Sequence, residues 1–279
     1  MIRQPAVAGY FYPENPRELT ELIEKLLHSP FGAEGSLNMG NDSRVRAVVS
    51  PHAGYLYSGA AATCAIKALA HAERRPTTYV LLGPNHRGMG NPVALSGVSA
   101  WKTPLGEVPV NIKAVNRLLE LDPIFQVDDG AHRLEHSIEV QLPMMQHIIE
   151  PEVSILPISL FDQTQGTATR IGEALYRLSQ HIHITILASS DFTHYEQDVV
   201  AREKDSAVLE HVYNLDVEGF FGEVREKRVS VCGPGGIAAL MKSHKEWGGS
   251  RGKLLTYCTS GDTGGEKESV VGYAAVAFL

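Results

Sequence analysis

The sequence predicts an α/β fold, a single domain with a central, mostly parallel or mixed sheet flanked by helices. Two observations carry this. Apolar, β-rich runs alternate with helical ones along most of the chain. Several of those runs are apolar on both faces, as strands are when helices cover the sheet on both sides. No linker, low-complexity tract or internal repeat divides the 279 residues, so 1–279 reads as one unit.

Residues 1–15, rich in Pro, Gly and Tyr, read as an irregular N-terminal arm. Pro16 then opens a helix with Asn15 as its N-cap, and Leu19, Leu22, Ile23, Leu26 and Leu27 share one face. Residues 31–44, with Gly32, Gly35, Asn38, Gly40 and Asn41, read as a mobile loop. A short strand follows at 45–49 and an Ala-rich helix at 59–71. Further strands are expected at 79–82, 153–158, 182–187, 254–257 and 270–278. Further helices are expected at 113–121, 138–149, 167–181, 197–213 and 235–242.

The composition, 43% apolar and 20% charged, supports a sizeable core. A net charge of −7 argues against a nucleic-acid binder, which usually presents a basic face. No apolar run reaches the roughly 18 residues of a membrane span, and the opening residues lack the layout of a signal peptide. Three widely spaced cysteines, Cys64, Cys232 and Cys258, suit free thiols in a reducing compartment, so the expected location is the cytoplasm.

Four strand ends share one layout: an apolar run stops, small or Pro/Gly residues turn the chain, and a reactive side chain appears. They are Ser50-Pro51-His52-Ala53-Gly54-Tyr55, Gly83-Pro84-Asn85-His86-Arg87-Gly88, Ser189-Ser190-Asp191-Phe192-Thr193-His194 and Val231-Cys232-Gly233-Pro234-Gly235-Gly236. In open α/β sheets ligands bind outside the carboxyl ends of the strands, so these loops can converge on one site. Tight loops hold His52 and His86 as metal ligands hold best, with the imidazole direction fixed at low entropic cost. A lone loop histidine is more often a cap; two in matching loops favour a shared site.

Cys232 precedes a helix start, where a thiolate, the form that binds metal, is favoured. Cys64 and Cys258 read as core. Asp191 and His194 read as proton-handling residues, with a helix N-cap as the competing role for Asp191. In the segment from His132 to Gln141, Ser137 reads as an N-cap, while His136 and Glu139 are candidates to support the site or contact substrate.

Taken together, Pro51-His52-Ala53-Gly54-Tyr55, Gly83-Pro84-Asn85-His86, the run from Glu135 to Pro143, the run from Ser189 to Tyr195, Cys232-Gly233 and the opening Ala6-Val7-Ala8-Gly9-Tyr10-Phe11-Tyr12-Pro13 resemble the Memo family nearly end to end. That family is similar in fold to class III extradiol dioxygenases, non-haem iron enzymes. The resemblance implies metal ligands at His52, His86 and Cys232, an acid/base role for His194, and a site at one end of the sheet. A cysteine in place of the dioxygenases' carboxylate gives a softer ligand set, with Fe(II) the first expectation and Cu or Zn the alternatives. Two functions follow: a metal-dependent, dioxygenase-like redox protein acting on a small molecule, or a binding module that takes a phosphorylated peptide or other anion in the same cavity. A hydrolase is disfavoured, because the G-x-S-x-G elbow and a Cys-x-x-Cys pair are both missing.

Overall fold

The arm begins with a two-residue strand, β1 (Ile2–Arg3), and leads into α1 (Pro16–Leu27), whose Asn15 cap accepts the N–H groups of Arg17 and Glu18. In this computed structural model residues 1–36, 45–70, 78–149 and 153–279 are described. A short helix, α2 (Ala33–Ser36), stands inside the expected 31–44 loop; residues 37–44 of that loop lie outside the described residues, as does His71 at the end of the expected 59–71 helix.

The chain continues through β2 (Ala47–Ser50), α3 (Tyr55–Ala70) and β3 (Thr78–Pro84). Three short strands follow, β4 (Val93–Leu95), β5 (Ala100–Thr103) and β6 (Gly106–Pro109), then α4 (Ile112–Leu121) and β7 (Gln126–Val127). Next come α5 (Gln141–Ile148), β8 (Ile155–Leu160), α6 (Gln165–Ser179) and β9 (Ile184–Ser189). The last elements are β10 (His194–Glu196), α7 (Asp198–Tyr213), α8 (Val217–Glu226), α9 (Pro234–Glu246), β11 (Gly252–Thr259) and β12 (Val270–Phe278).

The main sheet has the order β10-β12-β2-β9-β3-β8-β4-β7, with β11 paired to β12. Its centre, β2-β9-β3-β8, is parallel, while β12 and β4 run against their neighbours β2 and β8. Every residue of the four central strands is buried, as strands covered on both faces require. One group of helices, α1, α3 and α5, packs together with α3 against β2 and β12; a second, α4, α6, α8 and α9, packs together with α9 against β3 and β9. Helix α3 is buried almost all round, which explains its Ala-rich, non-amphipathic sequence. A separate three-stranded sheet, β1-β5-β6, ties down the arm. Among the described residues no helix is long and apolar enough to cross a membrane.

The register sets the site. Ser50 lies opposite Ser189, Leu82 opposite Ala188 and Pro84 opposite Leu160, so the carboxyl ends of β2, β9, β3 and β8 end close to level. His52, His86 and Asp191 each sit two residues beyond the last residue of β2, β3 and β9. Equal offsets from level strand ends bring the three side chains to one place.

Two helix starts differ most from expectation, the first being α3, which begins at Tyr55, not 59. Helix α5 begins at Gln141, not 138, and Ser137 is not its cap. Ser137 donates its backbone N–H to Glu135 Oε1 and its hydroxyl to the Pro84 carbonyl, which docks the turn before α5 onto the end of β3. Gly83 makes this possible: a Cβ there would lie 2.6 Å from Ser137 Oγ and 2.7 Å from Ile138 Cγ1.

Candidate metal centre

Three imidazoles meet at the strand ends. The ligand atoms of His52, His86 and His136 all lie within 4.8 Å of one another. The His86 and His136 rings stack with centroids 4.6 Å apart, and His52 meets both edge-on at 5.2 and 5.5 Å. His52 is buried, His136 half-buried and His86 exposed, so the cluster opens to solvent on the His86 side. Phe11 of the arm covers His136 from the other direction, with ring centroids 4.6 Å apart.

Electrostatics keep two of the three rings, His52 and His136, uncharged. Burial first, then the neighbouring His136 and His86, hold the His52 pKa well below its ordinary value. Burial likewise lowers His136 to about 4, against the pull of Glu135. Imidazole nitrogens gathered this closely are poor partners for each other and good ligands for a cation. The donor set therefore fits a transition-metal ion.

Cys232 lies beside the cluster, with Sγ 3.1 Å from His52 Nε2, and Sγ also accepts the Asp191 N–H at 3.1 Å. The thiol does not follow the helix-start expectation: burial, then the Asp191 carboxylate, pushes its pKa up rather than down. Gly233 lets this loop approach β9, since a Cβ there would sit 2.7 Å from the Ser189 carbonyl. Two backbone donors of this loop are engaged within the protein. Gly233 N–H donates to Ser190 Oγ and Gly235 N–H to Gln163 Oε1.

Asp191 is almost fully buried, and Oδ1 accepts the His52 backbone N–H at 2.7 Å, which pins the β2 loop to the β9 loop. Burial raises its pKa to about 6 in spite of that bond. No helix starts within six residues of it, so it caps none. His194 is held by Ser230 twice: its backbone N–H donates to Ser230 Oγ, and Nδ1 sits 2.9 Å from the Ser230 carbonyl. A carbonyl only accepts, so Nδ1 carries the proton and Nε2 is the free nitrogen.

Glu139 is occupied elsewhere. Its carboxylate is completely buried; Oε1 accepts from Val7 N–H and the Tyr12 hydroxyl, Oε2 from Ala6 N–H and Arg3 Nη1. Four donors fill both oxygens, and the residue anchors the arm that carries Phe11. Glu135, given no role from sequence, is the carboxylate that touches the cluster. It accepts His86 N–H at 2.6 Å and lies 2.9 Å from His86 Nδ1. Burial would raise its pKa, but the hydrogen bond and charge of His86 outweigh this and hold it at about 2. Its place immediately before His136 was the only sequence signal.

With this geometry in place, comparison with known proteins is decisive. The model of the family described as Memo-like protein matches residues 3–277. This chain belongs to the Memo family. Proteins described as MEMO1 family proteins from Nitrosopumilus maritimus and Methanopyrus kandleri are each 41% identical to it, covering all of this chain and 100% and 99% of theirs. Another from Methanosarcina mazei is 41% identical over 99% of this chain and 98% of its own. Among solved structures, an uncharacterized protein from Escherichia coli K12 superposes with a TM-score of 0.58 over 85% of this chain and all of that one. At 15% identity it speaks for the fold alone.

Proposed function

We propose that this Memo-family protein holds a transition-metal ion, Fe(II) before Cu or Zn, and with a redox-active ion acts on a small organic substrate in a dioxygenase-like way. The observation that carries the reading is the convergence of three imidazoles at the strand ends, with a cysteine sulfur 3.1 Å from one of them. His52, His86 and Cys232 are the proposed ligands, and His136 adds a nitrogen donor that also faces the substrate. Iron bound there would supply redox chemistry with positions left for oxygen and substrate. Asp191, at about 6, can take a proton near neutral pH. His194 presents Nε2 as a hydrogen-bonding nitrogen for substrate, and the aromatic wall from Phe11 limits water at His136.

Oxygen consumption by the iron-loaded protein, screened over catechol-like compounds, tests the redox part. Uptake that falls at least about 100-fold in His194→Gln, the usual scale of acid–base catalysis, is the expected result. Absence of uptake from every compound, with iron bound, would overturn it.

A further inference from the structure

Ser189, Gln141 and the turn before α5 form a buried hydrogen-bond chain behind the histidines, and its polarity can be read atom by atom. The Pro51 carbonyl only accepts, so the group of Gln141 facing it at 2.8 Å is the amide Nε2, and Oε1 faces Ser50, whose hydroxyl donates to it at 2.8 Å. The same Nε2 donates to Ser189 Oγ at 3.0 Å. Ser189 has one proton to give, and the Ser137 carbonyl, 2.6 Å away, can only accept it. His52 Nδ1 lies 2.9 Å from that hydroxyl oxygen and finds it already committed as a donor. Nδ1 must therefore bring the proton, which leaves Nε2 as the acceptor nitrogen, the one 3.1 Å from Cys232 Sγ. His86 is set by the same logic: Glu135 is an acceptor-only carboxylate 2.9 Å from Nδ1.

Every one of these constraints traces to one stretch of chain. Glu135 acts on His86 directly; the Ser137 carbonyl and Gln141 act on His52 through Ser189. We propose that residues 135–141, with Ser189 as relay, are a positioning device that presets His52 and His86 with Nδ1 as the proton donor and Nε2 as the nitrogen left for an ion, before any ion binds. The neutral histidine side chain in water prefers the opposite tautomer, so the arrangement is imposed by the fold. The cost of orienting both rings is met on folding, and partners of this kind tune metal affinity. Glu135, Gln141 and Ser189 are positioning residues. The purpose of the device rests on the metal-centre reading; its existence does not.

The test begins with metal-free protein labelled with ¹⁵N in histidine, using long-range ¹H–¹⁵N correlation, with His52→Ala and His86→Ala to assign the signals. At a pH where each ring carries one proton, both residues are expected to hold it on Nδ1 and not on Nε2. Nε2–H at either would overturn the proposal. In Ser189→Ala the His52 signal is expected to lose its single-tautomer pattern, and Zn²⁺ affinity to fall about 10–100-fold with unchanged circular dichroism. An unchanged His52 pattern in that variant would remove Ser189 as relay. If Ser189→Ala does not fold, the wild-type spectrum decides alone. Failure of the unaltered protein to bind Zn²⁺ with both tautomers as predicted would count against the metal reading and not against the device.

Discussion

Cys232 Sγ and His52 Nε2 stand 3.1 Å apart although 180 residues separate them in sequence. With Nδ1 of His52 protonated, Nε2 is the acceptor and the thiol the donor. An incoming cation would replace that proton, so metal uptake should release protons and strengthen as pH rises. Cys232→Ala is expected to weaken Zn²⁺ binding by at least about 100-fold, beyond the range for residues that only orient a ligand, with the fold retained. Competitive titration against a chelator measures this; an unchanged affinity would remove Cys232 from the ligand set.

The Arg3–Glu139 pair should dominate the stability of the arm. Both side chains are buried, 2.7 Å apart, and the guanidinium also stacks over Trp101 and donates to the His132 and Glu135 carbonyls. Arg3→Ala leaves a buried carboxylate without its counter-charge and is expected to destabilise the protein by about 3–5 kcal/mol in urea denaturation. A loss under about 1 kcal/mol would mean that the remaining three donors suffice for Glu139.

Gly83 should resist even the smallest side chain. A methyl group would collide with Ser137 Oγ and Ile138, so Gly83→Ala is expected to cost about 1–3 kcal/mol and to weaken metal binding by displacing the turn that carries Glu135 and His136. Denaturation and chelator competition on one variant check both effects.

Acid should unfold the protein partly through two histidines outside the cluster. Burial lowers both His132 and His244 to about 4. The His244 ring nitrogens and His132 Nδ1 have no hydrogen-bond partner among the described residues. Both folded values lie below the unfolded one of about 6.5, so between about 6.5 and 4 the unfolded chain binds more protons. Their contribution to stability is present above pH 6.5 and is lost as pH falls through that window, on the order of 3 kcal/mol for each. His244→Leu should flatten the fall in stability between pH 7 and 4.5 by about 2–3 kcal/mol. An identical slope in the variant would show that His244 does not titrate on unfolding.

The sequence exposes the central sheet because β2, β3, β8 and β9 are continuous apolar runs, and the strand-end loops stand out through their Pro and Gly residues. Strands β1, β4, β5, β6, β7 and β10, of two to four residues, are too short to show a period. Helix α8, capped by Asp216, carries Gly219 and Gly222, which obscure its pattern. His52 and His86 are legible as a pair because matching loops hold them. Glu139 and Glu135 are not separable by sequence: four residues apart, one serves the arm and the other His86, and only the docking of the turn onto Gly83 decides which. Ser189 and Gln141 carry no local signal, since their partners lie 48 to 137 residues away.

Metal content tests most directly whether the histidine cluster and Cys232 hold an ion. We would purify the protein without oxygen and quantify Fe, Cu and Zn in it and in the folded variants His52→Ala and His86→Ala. The account predicts close to one ion per chain in the unaltered protein and almost none in either variant. No metal in the unaltered protein, or the same content in all three, would contradict it.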